Sequence, residues 1–470
     1  LMFQTIPFNI VGGTHESRTR SVSVQNTTNM YLQLNEYSDK QASLQSWYGQ
    51  KLVGQVSGSN ERGIHVMNEL VYRVVDQKLY FVSISGKHTE LGEILGASRV
   101  IMADDGDNLV IVTSKVYIYT ASSGILKLSD NVNLEGVFSV TIINGQFIYT
   151  TKDLSFISQP NLPENLSGLD AIGAESSPDK LVRDYAFNQT IYRFGTRTTE
   201  PWYNSGVGQP PIDRLEGQQF SVGCKAVNSI AHTDKALYWL GDDNAIYRVS
   251  GNQYDRISDD CLSNTIEQMD SVIDALGYTV TLQGQDFYII TFPSANKTFL
   301  INEKLGKQGW SQLTSGTNND VYSATDSVQA YGYTYVASGG KWLTLERDEY
   351  TQDTDSFLRK RTTGEFTCKD FGLNNDSMVM SRLTLDAEQG IGLLTGQGEV
   401  PRIMVEVSID GGRSFPHVAW MELGRLGEHT LRTEVDFMIR GQSFIFRLNM
   451  SDPVPLTIKG AYLKVKGAKR

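Results

Sequence analysis

The sequence predicts an all-β protein: a six- or seven-bladed β-propeller followed by a C-terminal β-sandwich module. Three observations carry this expectation. Aromatic residues make up 10% of the 470-residue chain, with 22 tyrosines, and aromatic and β-branched side chains suit pleated, half-buried surfaces. A hairpin-like unit recurs seven times between residues 70 and 345. Beyond residue 369 the texture changes to longer alternating strands with Gly-rich loops between them.

Residues 1–60 are polar and rich in turn formers, with one apolar island at Met30, Tyr31 and Leu32. They form an N-terminal segment that is a candidate to pack with the C-terminal module. The repeated units then follow: LVYRVVDQKLYFV at 70–82, LVIVTSKVYIY at 109–119, QFIYTTKDLSFI at 146–157 and TIYRFGTRTTEPW at 190–202. ALYWLGDDNAIYRV at 236–249, DFYIITFPSANKTFLI at 286–301 and GYTYVASGGKWLTL at 332–345 complete the series. Each reads as two short strands around a tight polar turn. Their starts lie 37–50 residues apart. All-strand repeats of that period point to one propeller blade per unit, with room for two further short strands. The WD and kelch signatures are absent. We assign residues 61–350 to the propeller; a large sandwich or barrel with several hairpins is the alternative.

One segment departs from the β pattern. Leu262, Ile266, Met269, Ile273 and Leu276 fall on a single helical face. The spacing predicts a helix over 260–276, capped by Asp259 or Asp260 and packed on a neighbouring blade rather than forming a cofactor box. Residues 351–369 are polar and read as a linker. Residues 370–470, with alternating runs at 380–385, 402–408, 443–448 and 456–465, read as a compact sandwich of roughly 100 residues that serves as a docking platform.

The composition excludes several classes. Charged residues are 20% and hydrophobic residues 40%, which does not fit a disordered, collagenous or coiled-coil chain. Lys and Arg number 42 against 53 Asp and Glu, a net charge of −11. Residues 370–470 hold 12 basic and 12 acidic side chains, so the whole imbalance sits on residues 1–369. A free nucleic-acid-binding domain would be basic, and an acidic one repels polyanions. Lys459, Lys464, Lys466, Lys469 and Arg470 close the chain without an acid, as a solvated end or a dock for an acidic partner.

Cys224, Cys261 and Cys368 are odd in number and far apart, so neither zinc nor a disulfide framework is expected. Residues 1–7 lack the basic and apolar regions of a signal peptide. No window approaches 18 uninterrupted apolar residues, so no membrane contact is expected. The chain thus reads as made in a reducing cytoplasm, with the sequons at Asn188 and Asn296 as chance matches.

The sharpest local motif is Ser408-Ile409-Asp410-Gly411-Gly412-Arg413-Ser414-Phe415. It resembles the Asp-box of sialidase propellers, and Ser408, Asp410, Gly411, Gly412 and Phe415 are read as a structural turn. There Asp410 accepts backbone N–H groups while the glycines take positive φ. Glycosidase chemistry needs two carboxyls at a defined separation, and no spacing singles out such a pair. The run 104–108 lacks the register and the twelfth-position Glu of a calcium loop. The six histidines show no metal-binding spacing, and no nucleophile elbow or phosphate loop occurs. No catalytic residue, metal or cofactor is expected: the sequence does not read as an enzyme.

Several stretches are familiar together. Residues 29–32 precede the first blade run; DALGYTVT at 274–281 leads into GQDFYIITFP at 284–293 and a Gly309-Trp310 turn. The C-terminal part carries 408–415, LGRLG at 423–427 and SDPV at 451–454 ahead of IKGAYL at 458–463. This ordered set is similar to the packaged-DNA stabilisation proteins of short-tailed bacteriophages, also called tail accessory, hub or nozzle proteins. The resemblance spans about residues 25–465. It implies a virion protein that forms a homohexameric ring below the portal and its adaptor. Such a ring retains packaged DNA, passes it on ejection without binding it specifically, and contacts a tail plug or needle and tail fibres or tailspikes. The family offers no catalytic residues. The neutral C-terminal module and N-terminal segment are expected to face the adaptor. The alternatives are a carbohydrate-active propeller, sialidase-like or glycan-binding, and a scaffold propeller unrelated to phage.

Overall fold

The seven repeated runs form the two middle strands of seven four-stranded antiparallel blades, five of them separate sheets and two continuous with larger sheets. Middle strands pack against a neighbouring blade on both faces, which explains why they read as near-continuous apolar runs rather than strict alternation. Leu109, Val110 and Ile111 are all fully buried, and every residue of Gln285–Phe292 is buried. Five of the seven hairpins that enter these strands use mirror-image turns. Asn144 and Gly145 stand at φ 48° and 76°, and Gln283 and Gly284 at 52° and 72°, which matches the twist of the flanking strands.

The computed structural model describes residues 2–18, 23–34, 42–173, 179–208, 210–251, 253–370 and 377–468; Lys469 and Arg470 of the basic end lie outside them. Six blades follow in chain order over residues 61–93, 101–128, 139–173, 181–214, 231–256 and 276–315. The seventh contributes three strands of its own, Asp326–Ala330, Tyr333–Ser338 and Lys341–Glu346. Its fourth is Gly49–Gln55, antiparallel to Lys341–Glu346. The propeller therefore has seven blades and is closed by a strand from the N-terminal segment. A boundary at residue 60 misses this strand, because its partner lies almost three hundred residues away.

The N-terminal segment and the last hundred residues build the sandwich together. One sheet runs Met30–Leu34, Ala42–Ser46, Thr457–Ala468, Ser377–Ala387 and Glu434–Gly441, with Gln4–Phe8 also paired to Thr457–Ala468. The facing sheet contains Arg359–Thr362, Ser443–Met450, Arg402–Ser408 and His417–Glu422. Phe8, Ile10 and Leu44 from the front of the chain join Met380, Val405, Phe446 and Leu463 in one buried core.

Two sequence expectations need correction. Residues 351–369 are not a free linker. Arg359–Thr362 lies between Val24–Thr28 and Ser443–Met450, and Val24–Thr28 in turn joins Trp310–Ser315 of the sixth blade, so one twelve-stranded sheet runs from propeller into sandwich. The polar reading failed because Arg359 and Arg361, at 0% and 1% exposure, are buried rather than solvated. The predicted helix is also shorter. It spans Asp260–Glu267, with Asp259 accepting a hydrogen bond from the Leu262 amide (2.7 Å) and Leu262 and Ile266 buried. Asp270 and Ser271 are weak helix formers, Ile273 is exposed, and Leu276 begins the first strand of the sixth blade.

Candidate functional site

Three regions gather chemistry-bearing side chains. The first is the turn at 408–415, which links Arg402–Ser408 to His417–Glu422. Asp410 accepts from the amides of Arg413 (2.9 Å) and Ser414 (3.0 Å) and from the hydroxyls of Ser408 (2.7 Å) and Ser414 (2.5 Å). These hydrogen bonds hold its carboxyl far below the ordinary carboxylate range. Gly411 and Gly412 take φ of 73° and 82°, a region closed to most side chains. The Phe415 ring lies under the Arg447 guanidinium, 3.5 Å away. Both Asp410 oxygens are occupied by the turn itself, so it has no free acid or base to offer.

This turn forms one wall of the second region, a polar groove of about 820 Å³ between sandwich and propeller. The other walls come from the helix Asp260–Glu267, the loop at 294–297, and residues 16–18, 23–26 and 360–362. Burial, with Arg447 nearby, lowers the pKa of Lys360 in this wall. The junction is pinned by two buried arginines. Arg361 donates to the carbonyls of Ile10 (2.7 Å) and Gly13 (3.0 Å), to Thr27 Oγ1 (3.0 Å) and to Gln25 Oε1 (3.0 Å). Burial pushes its pKa down to about 9. Arg359 donates to the carbonyls of Val454 and Asp452. Sequence reasoning missed both, since nothing local marks an arginine whose acceptors lie more than ninety residues away in the chain.

At the same junction His15 Nδ1 lies 2.7 Å from Asp259 Oδ2 and His15 Nε2 lies 3.4 Å from Cys261 Sγ. The three side chains meet from positions 244 and 246 apart in sequence, so no spacing rule could find them. Burial and the nearby Asp259 and Asp260 raise the Cys261 pKa, which keeps it a thiol.

The third region is the propeller axis. The first strands of the blades and the segments beside them line an open cavity of about 270 Å³ that includes Arg99, Arg183, His65, His232, Tyr185 and Asp326. The remaining acidic clusters are structural. Asp105 accepts from the amides of Asp107 (3.0 Å) and Asn108 (2.7 Å), Asp107 from that of Ser122 (2.8 Å), and Asp242 from that of Gly223 (2.8 Å). No helix among the described residues is long and apolar enough to cross a membrane.

The fold is thus a seven-bladed propeller joined through a shared sheet to a sandwich. The family model described as bacteriophage P22 Gp10, beta-propeller, matches residues 4–342, and that described as bacteriophage P22 Gp10, beta-sandwich, matches residues 365–466. The protein is thus a phage structural protein of the packaged-DNA stabilisation class. The chain belongs to the bacteriophage P22 Gp10 family. No curated protein matches it.

Solved structures similar in fold include the extracellular domain of the putative hybrid two component system BT4673 from B. thetaiotaomicron. That likeness has 7% identity and a TM-score of 0.46, over 71% of this chain and 43% of that one. BamB from Moraxella catarrhalis is 7% identical, with a TM-score of 0.40 over 73% of this chain and 97% of that one. PorZ from Porphyromonas gingivalis is 11% identical, with a TM-score of 0.38 over 63% and 37%. Likenesses this low carry no functional argument. The chain spans less than half the length of the first of them.

Proposed function

We propose that the protein is a tail hub of the virion: a homohexameric ring below the portal and its adaptor that retains packaged DNA and forms the conduit for its ejection. The observation that carries this reading is the match of both domains, in order, to one family of phage stabilisation proteins. Charge supports it. A conduit must not grip phosphates, because each neutralised phosphate adds affinity. Residues 1–369 carry the entire −11, and six copies sum to −66, a field that repels the duplex from the walls.

The partners in this reading are the adaptor ring, a plug or needle, and fibres or tailspikes, and assembly takes place in the host cytoplasm. The sandwich supplies a docking face. The outward side of the sheet containing Thr457–Ala468 exposes Met438 and Tyr462 beside Arg382, Asp436 and Lys464, a mixture of aromatic, Met and charged groups suited to an interface. Removing residues 370–470 is a poor test of this face, since it would strip the cover from Phe8, Ile10 and Leu44. Met438→Glu with Tyr462→Asp is the better one. Heads filled with DNA should then fail to acquire the ring, while the purified variant keeps its fold.

The direct experiment is quantitative mass spectrometry of purified virions together with a null mutant. About six copies per particle and leaking, DNA-filled heads in the mutant are expected. Absence from the particle, or stable retention of DNA without the protein, overturns the proposal. The carbohydrate-active alternative drew on residues 408–415 and on the aromatic content, and Asp410 is engaged in its own turn; hydrolysis of a fluorogenic sialoside would favour that alternative.

A further inference from the structure

The axial cavity holds an unbalanced positive charge. Arg99 Nη2 is paired with Asp326 Oδ2 at 2.7 Å, with side-chain exposures of 22% and 17%. Its Nη1 is buried and finds no hydrogen-bond partner in the protein. Arg183 comes from the fourth blade. Its Nη1 donates to the Val227 carbonyl (3.1 Å), its guanidinium lies over the Tyr185 ring at 4.9 Å, and its Nε is buried without a partner. Among the described residues no carboxylate forms an ion pair with Arg183. His232 Nδ1 is engaged by the Tyr185 hydroxyl at 2.7 Å, and His65 Nε2 by Asp104 Oδ2 at 2.6 Å.

An unpaired guanidinium inside a protein is costly unless a counter-charge reaches it. Burial lowers the pKa of Arg183, and the nearby Arg99 adds a smaller push in the same direction. The cavity, at about 270 Å³, lies just below the usual range for small-ligand pockets of roughly 300–1,000 Å³. That volume is enough for a compact anion. Planar guanidinium forks suit tetrahedral oxyanions.

We propose that the propeller axis is a binding site for a small tetrahedral oxyanion of the inorganic phosphate class, with Arg183 and Arg99 as its ligands. The anion bridges the second and fourth blades and, through the Arg99–Asp326 pair, the seventh. It acts as a pin at the centre of the ring, and by mass action its binding stabilises the folded state. The sequence gives no sign of it, because the residues come from blades far apart in the chain.

The test uses the full chain in a phosphate-free zwitterionic buffer. Inorganic phosphate should raise the unfolding temperature in a saturable way, above sodium chloride at equal ionic strength, and sulfate should compete. Equilibrium dialysis with labelled phosphate should give about one site per chain. Arg183→Met should weaken phosphate binding at least about tenfold, as the loss of charge-assisted hydrogen bonds implies, while Arg183→Lys should retain part of it. If Arg183→Met does not fold, Arg99→Lys and the wild-type dialysis decide the matter. No saturable phosphate binding to the wild-type chain, or unchanged affinity in the Arg183 and Arg99 variants, overturns the proposal.

Discussion

Arg361 shows at the scale of one residue how this fold uses charge. Among the described residues its guanidinium has no carboxylate partner, and its donors go to two carbonyls and two side-chain oxygens of residues 10–27. Arg361→Met keeps the volume but leaves those acceptors buried and unpaired. We expect a loss of about 2–4 kcal/mol, read as a lower denaturant midpoint, with faster proteolysis of residues 1–30. His88 gives a second expectation. Its Nε2 lies 2.8 Å from Arg73 Nη1, and burial, followed by that guanidinium, pushes its pKa from 6.5 to about 4. A depressed pKa means that the unfolded chain takes up the proton first. This contribution to stability is therefore complete above pH 6.5 and is lost as pH falls from about 6.5 to about 4. His88→Gln should flatten thermal stability across that window, and an unchanged acid slope would count against it.

At the scale of elements, the strand that closes the ring is the most exacting. Gly54 sits in Gly49–Gln55, and a Cβ there would stand 2.1 Å from the Gly86 carbonyl oxygen of the first blade. Gly54→Ala forces closing strand and first blade apart. A destabilisation of about 1–3 kcal/mol is expected, as for overpacking elsewhere, with faster amide exchange in residues 49–55 and 341–346. The paired strands of each blade were legible in the sequence because two short β-rich runs with a polar turn carry a local signal. The first strand of the fifth blade, Ala231–His232, was not, since two residues show no period. In the sandwich, His417–Glu422 and Glu434–Gly441 also escaped notice: half-exposed strands with Trp420 and Met438 facing outward blur the alternation.

At the scale of the molecule, the twelve-stranded sheet that joins the sixth blade to the sandwich couples the two domains. The chain starts in the sandwich, closes the propeller, runs round seven blades and returns. Unfolding of one domain tears hydrogen bonds from the other. Calorimetry should therefore show a single main transition, and two well-separated ones would show that the shared sheet does not couple them.

The sequence by itself determined the class of fold, the seven paired strands, the change to a sandwich after residue 369 and the turn built on Asp410, because each rests on periodicity or turn chemistry within a few residues. Only the tertiary structure decided the blade count, the borrowed closing strand, the shared sheet, the buried arginines and the cationic axial cavity. Those features join residues tens to hundreds of positions apart, and a buried arginine looks like a solvated one until its acceptors are in place.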